Sequence, residues 1–183
     1  MQFLLANAGL PMIGVQMHIL VVALIPVVLF EAFVYRVRLP RTATKSLWGS
    51  SIANLISTFI GVPMTWFAML MIEGLVGGNA WGLHTPLRRI IAVTIQAPLL
   101  IPYEEAIHWM VPTASLVLMF PFLIVSAVVE SRVLSRFWPD IPRQEVHKAV
   151  YLANAVTYAI LIAYCGFEID RALRSHPVDA FSN

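Results

Sequence analysis

The chain has 183 residues, of which 59% are apolar and 12% are charged, and its mean hydropathy is +0.78. A soluble domain carries about 25% charged residues, and a water-soluble fold of this length cannot bury so much apolar surface. The net charge of +2, spread along the chain, argues against a nucleic-acid-binding surface, and the single cysteine excludes an internal disulfide or a cysteine-based zinc site. The composition therefore predicts an integral membrane protein.

Four apolar segments are long enough to cross a bilayer as helices. They cover approximately residues 13–35, 48–72, 107–129 and 149–167. Because lipid offers no partner to a free backbone amide or carbonyl, we expect all four segments to be helical and to form a four-helix bundle. A fifth apolar run, at about residues 90–103, contains Pro98 and Pro102, which predict a short interfacial or re-entrant segment. The predicted fold class is an all-α integral membrane protein, with residues 1–183 in a single membrane domain.

Basic residues concentrate in the loops that follow the first and third predicted spans. These residues are Arg36, Arg38, Arg41 and Lys45 in the first loop, and Arg132, Arg136, Arg143 and Lys148 in the second. Short loops rich in lysine and arginine stay in the cytoplasm. We therefore expect a multi-pass plasma-membrane protein, in a bacterial inner membrane, with both basic loops in the cytoplasm and both termini outside.

The two halves of the sequence share a spaced pattern, which reads EAFVYRVRLP then IANLIST in the first half and ESRVLSRFWP then LANAVTY in the second. Nine residues separate Glu31 from Pro40, and nine separate Glu130 from Pro139. We interpret the pattern as two repeated helical hairpins. The predicted segments are a first hairpin at about 13–72, an outer loop with the interfacial segment at about 73–106, a second hairpin at about 107–167, and an outer tail at 168–183.

The repeated acids and amides predict a polar cluster that pairs the helices. Counted along the helices, each glutamate and its asparagine lie about two turns or less from the cytoplasmic surface, where water can reach them. An asparagine that donates to a glutamate across a membrane helix pair contributes about 0.6 kcal/mol on average. Small and polar residues on the same face of the second span favour close packing. The predicted helix-pairing cluster comprises Glu31, Asn54, Ser57, Thr58, Glu130 and Asn154.

A second group of candidate functional residues, two acids and a histidine, lies on the predicted outer side. Glu104 and Glu105 precede His108 by four and three residues, and Glu-x-x-His is the spacing used in helical di-iron centres. Those centres need two such motifs, whereas this sequence has one. Glu104, Glu105 and His108 are therefore candidate metal ligands in one alternative interpretation, and the sequence leaves the identity of any cofactor unknown.

The sequence carries no Gly-x-Ser-x-Gly, His-Glu-x-x-His or P-loop motif, which favours a non-enzymatic protein. The leading interpretation is a structural or accessory subunit of a larger membrane complex, or a self-associating membrane protein. One alternative is a small oligomeric transporter or channel that uses Glu31 and Glu130. The other is an outer-face metal-binding or redox-associated membrane protein. The expected partners are the lipid bilayer and other membrane subunits or copies of the same chain, with no nucleic acid.

Overall fold

The computed structural model describes residues 10–76, 86–100 and 107–175. Nearly all of these residues are helical. The helices are α1 (Met12–Arg38), α2 (Ala43–Ile56), a π-helical turn (Ser57–Gly61), α3 (Val62–Val76), α4 (Pro86–Ile95), α5 (Ile107–Phe137) and α6 (Arg143–Ser175). Two short strands, β1 (Leu10–Pro11) and β2 (Leu99–Leu100), pair in an antiparallel manner.

Among the described residues, four helical stretches are long and apolar enough to cross a membrane, which confirms the predicted all-helical class with four candidate spans. Each stretch continues past the apolar segment predicted from the sequence. This is because a helix ends at its capping residues and polar flanks, which lie beyond the last apolar residue. For example, α2 starts at Ala43 after Thr42, whose hydroxyl accepts a hydrogen bond from the Lys45 amide at 3.4 Å. The stretches are Met12–Arg38, Ala43–Val76, His108–Phe137 and Arg143–Ser175.

A π-helical turn interrupts the second of these stretches just before Pro63. Proline has no amide hydrogen, so the regular helical bond to the carbonyl four residues earlier is lost. The backbone widens instead, and the Val62 amide donates to the Ser57 carbonyl, five residues back. The Thr65 hydroxyl donates to the Gly61 carbonyl at 2.7 Å and so supplies a further partner for the backbone. The proline thus explains why Ser57 and Thr58 lie in a widened turn.

The chain divides into two compact units, and the first, here called the glutamate unit, comprises Met17–Thr65 and Phe120–Leu161. A buried apolar cluster lies at the arginine-rich ends of its helices, and its largest members include Tyr35, Leu134 and Trp138. Gly49 of α2 permits a close approach there, because a Cβ atom at this position would overlap the Trp138 indole. The missing side chain at Gly49 thus lets the backbone of α2 approach side chains at the end of α5, as is common between membrane helices.

An ion pair joins the two basic loops of the glutamate unit. The Arg41 guanidinium binds the Asp140 carboxylate and also lies over the Trp138 ring, 5.7 Å from its centroid. Hydrogen bonding to Arg41 holds the pKa of Asp140 below its usual range. The contact fixes the ends of the α1–α2 and α5–α6 connections relative to each other.

The second unit comprises Met1–Gln16, Trp66–Met119 and Ile162–Asn183, in so far as the structure describes them. The Pro98 carbonyl accepts hydrogen bonds from the Met12 amide at 3.1 Å and from Trp66 Nε1 at 2.8 Å. The predicted segment at 90–103 begins within α4, which ends at Ile95, and then bends into β2. Its placement relative to a membrane stays a prediction.

Glu73 is a buried acidic residue near the end of the second candidate span. Glu73 lies within α3, which continues to Val76. Its side chain is only 7% exposed, and one carboxyl oxygen accepts a hydrogen bond from the Leu99 amide at 3.2 Å. The backbone partner explains why an acidic residue is accommodated in a buried helical position.

A buried glutamate pair as the candidate functional site

Glu31 of α1 and Glu130 of α5 are both 1% exposed within the glutamate unit. From their depth along the helices, both side chains were predicted to be accessible to water, but neighbouring helices cover them. Position along a helix gives depth from its end, but the covering depends on how the helices pack. Neither carboxyl group has a basic partner among the described residues.

Each carboxyl group accepts a hydrogen bond from one asparagine amide. Asn54 Nδ2 of α2 donates to Glu31 Oε2 at 2.6 Å, and Asn154 Nδ2 of α6 donates to Glu130 Oε2 at 2.7 Å. Each amide group also donates to the backbone carbonyl one turn earlier in its own helix, at 3.1 and 3.2 Å respectively. These second bonds hold the amides in the orientation that the carboxyl groups need. The structure therefore brings together both Glu–Asn pairs that the sequence analysis proposed.

The other oxygen of each carboxyl group accepts a hydrogen bond from a hydroxyl group. Each of these hydroxyl groups belongs to the half of the chain that does not contain the glutamate. Ser57 Oγ of the π-helical turn donates to Glu130 Oε1 at 2.8 Å. Thr157 Oγ1 of α6 donates to Glu31 Oε1 at 3.3 Å. Each glutamate thus binds an asparagine from the helix that follows it and a hydroxyl from the other half of the chain. Thr157 was not in the predicted cluster, although it lies three residues after Asn154, as Ser57 lies three residues after Asn54.

Three other polar side chains complete the surroundings of the pair. The Tyr35 hydroxyl donates to Glu31 Oε2 at 3.3 Å, a contact that the sequence analysis did not propose. The hydroxyls of Ser126 and Tyr158 hydrogen-bond each other at 3.0 Å. Thr58, a member of the predicted cluster, is buried nearby, but no described hydrogen bond joins its hydroxyl to either carboxyl group.

A cavity of about 30 Å³ adjoins the glutamate pair. This volume is enough for one or two water-sized occupants. Asn154 lines the cavity, and its Oδ1 atom is buried with no hydrogen-bond partner in the described structure. A buried polar atom without a partner costs about 1–3 kcal/mol, so the site favours an occupant that offers a donor or a positive charge. The polar wall consists of Glu31, Asn54, Ser57, Thr58, Ser126, Glu130, Asn154, Thr157 and Tyr158.

The cavity extends away from the arginine-rich ends of the helices. Its apolar wall includes Leu20 and Leu24, which precede Glu31 along α1. On the opposite side of Glu31, the fully buried Tyr35 ring packs edge-on against Trp138 with a centroid separation of 5.8 Å. The buried apolar cluster therefore lies between the glutamate pair and the arginine-rich loops.

The candidate metal ligands receive no support as a group. Glu104 and Glu105 lie outside the described residues, and His108 lies in the first turn of α5. Among the residues that the structure describes, no three His, Cys, Asp or Glu side chains come together as a metal-binding group. The glutamate pair offers only oxygen ligands, which suit a proton or a hard cation better than a soft transition metal.

Comparison with known proteins identifies no relative of this chain. No family model, no curated protein and no solved structure matches the chain, so its site must be interpreted from its own residues.

Proposed function

We propose that this chain is a small transporter or channel unit whose glutamate pair binds a proton or a small cation inside the membrane. The observation that carries the proposal is the coincidence of two buried carboxyl groups, an unpaired amide oxygen and a water-sized cavity. Carboxyl groups within membrane spans are costly and most often mark ion pathways. Because no basic side chain in the described part of the chain contacts the pair, a proton or a cation is the available source of positive charge.

The ligand set supports a hard cation of small size. Carboxylate, amide and hydroxyl oxygens are the ligands that such ions prefer in proteins. The cavity has room for an ion without a full hydration shell, and the surrounding oxygens would replace the lost water molecules. A bound proton would satisfy the same need by joining one carboxyl group to the other or to Asn154 Oδ1.

We further propose that the four spans form two repeated hairpins, with the site at their interface. Equivalent residues support this: Glu31 and Glu130 are 99 positions apart, and Ser57 and Thr157 are 100 apart. Both pairs make reciprocal contacts, since each hydroxyl donates to the glutamate of the other half. Parallel repeats of this kind are related by an axis along the membrane normal in known transporter folds, and substrates bind where the repeats meet.

Apolar surface around the helices supports a membrane location for this unit. Large apolar side chains such as Val22, Ile25 and Phe59 are more than half exposed, as lipid-facing residues would be. We propose a bacterial plasma membrane with the arginine-rich loops in the cytoplasm and both termini outside, by the same charge rule as above. The buried apolar cluster would then close the site toward the cytoplasm.

A structural or accessory subunit is the second candidate, and one observation favours it. All four carboxyl oxygens of the pair accept hydrogen bonds from neutral donors on α2, the π-helical turn and α6. Such a network fixes the rotation and register of several helices even if no ion is transported. In this interpretation, removing one carboxyl group lowers the yield or assembly of the protein and leaves no ion-dependent property to measure.

Reconstituted flux separates the two candidates. The full chain is purified, incorporated into vesicles, and tested for proton and sodium flux, beside Glu31→Gln, Glu130→Gln and the matched control Glu145→Gln. Glu145 is an exposed acid that pairs with Lys148, so its replacement removes one carboxylate away from the site. We expect flux in the native protein and the control, and its loss in both site variants at unchanged yield and mass. Equal flux in all four proteins would exclude the ion-binding role.

A further inference from the structure

Three arginines converge on a second cavity of the glutamate unit, about 330 Å³ in volume. Arg132 and Arg136 lie one turn apart near the end of α5, and Arg143 and His147 lie one turn apart at the start of α6. These four side chains and Ser135 line the cavity. The helix-to-helix connection between α5 and α6 thus gathers positive charge in one concave surface.

The positive charge of this cavity is not neutralised by the described part of the protein. None of the three arginines forms an ion pair with a described acid, and the two acids on either side of Arg143 have other partners. Asp140 binds Arg41, and Glu145 binds Lys148. In addition, Ser135 Oγ is buried without a hydrogen-bond partner among the described residues. The cavity therefore offers uncommitted guanidinium groups and an uncommitted hydroxyl to a ligand.

The shape and chemistry of these donors match a phosphate group. Guanidinium groups bind phosphate oxygens through paired, charge-assisted hydrogen bonds, and Arg is favoured wherever such planar recognition is needed. The first turn of α6, which begins at Arg143, adds the positive end of a helix dipole. The His147 ring packs edge-on against Tyr151, with a centroid separation of 6.3 Å, and this contact orients the imidazole.

We propose that this arginine cavity binds the phosphate of an anionic phospholipid headgroup. The position favours a lipid over a free phosphate, because the cavity lies at the end of α5 and the start of α6, where both candidate spans meet their polar flanks. Two exposed apolar side chains would contact the acyl chains: Phe137, which follows Arg136, and Tyr151, whose ring packs against His147. The volume also exceeds what a bare phosphate fills, and suits a headgroup with its glycerol portion. Basic clusters next to membrane spans attract anionic lipids in this way.

Titration of the full chain in phosphatidylcholine nanodiscs tests the proposal. The probes are short-chain phosphatidylglycerol, short-chain phosphatidylcholine and inorganic phosphate. The site variant is Arg132→Gln with Arg136→Gln, and the control is Arg36→Gln with Arg38→Gln, which removes two charges from the other basic loop. We expect saturable binding of phosphatidylglycerol at one per chain, weakened about tenfold or more in the site variant and less than about threefold in the control.

Each alternative result overturns the proposal in a defined way. Equal weakening in both variants would show a diffuse charge effect with no built site. Inorganic phosphate that competes at similar concentrations would assign the site to a free anion. Absence of saturable phosphatidylglycerol binding, or equal binding of phosphatidylcholine, would exclude an anionic headgroup site. None of these results depends on ion flux, so the outcome is separate from that of the glutamate pair.

Discussion

Replacement of Asn154 by leucine is the sharpest test of the hydrogen-bond network around the glutamate pair. The substitution preserves the size of the side chain but removes the Nδ2 donor that lies 2.7 Å from Glu130 Oε2. Asn154 and Glu130 are each 1% exposed, so bulk water does not reach the carboxyl oxygen that loses its donor. Leaving a buried acceptor without a donor costs about 1–3 kcal/mol, whereas an average interhelical bond in a membrane contributes only about 0.6 kcal/mol.

The expected effect is a loss of about 1–3 kcal/mol in the free energy of unfolding, or a fall of about 2–12 °C in Tm for a chain of this size. Thermal unfolding of the purified chain in mild detergent measures it, with Tyr164→Leu as control because that side chain is more than half exposed on the same helix. A double-mutant cycle with Glu130→Gln isolates the pair, and we expect a coupling energy of about 0.6–1.7 kcal/mol. A coupling energy near zero would refute the proposed contact, whatever the single variants do.

Two further predictions concern the arginine-rich ends of the helices. Gly49→Ala places a Cβ atom against the Trp138 ring, so we expect a loss of about 1–3 kcal/mol, while Gly74→Ala, where the space is open, is neutral or stabilising by thermal unfolding. Because Arg41 lowers the pKa of Asp140, the ion pair stabilises the folded state above the usual aspartate pKa and is lost as pH falls through the lowered value. Asp140→Asn should therefore lower Tm slightly at pH 7 and reduce the fall in Tm below about pH 4 by a similar amount, because the variant lacks the ion pair at every pH. An unchanged fall in Tm at acid pH would contradict this.

The sequence predicted the helical framework because the bilayer restricts the possibilities. A run of about 20 apolar residues is stable in lipid as a helix, and the four such runs correspond to the four candidate spans. The Asn54–Glu31 contact was also predictable, since both residues lie at similar distances from one connecting loop. Local spacing along two adjacent helices carries this information, and no knowledge of the wider packing is needed.

The contacts between the two halves of the chain were not predictable by the same means. The Ser57–Glu130 bond joins residues 73 positions apart, and its partner depends on how the helices rotate against one another. The π-helical turn changes that rotation, and Pro63 was its only sequence signal. The exclusion of water from the glutamates likewise depends on packing, which is why depth along the helix gave the wrong expectation.

The most direct measurement of the central proposal is infrared difference spectroscopy of the purified chain while sodium concentration and pH are varied. If the pair binds a proton or cation, a carboxyl C=O band should appear or disappear with occupancy. The band should shift in Glu31→Gln and in Glu130→Gln, vanish in the double variant, and persist in Glu145→Gln. A native spectrum with no carboxyl band that responds to either variable, or with a band unaffected by the double variant, would contradict ion binding at the pair.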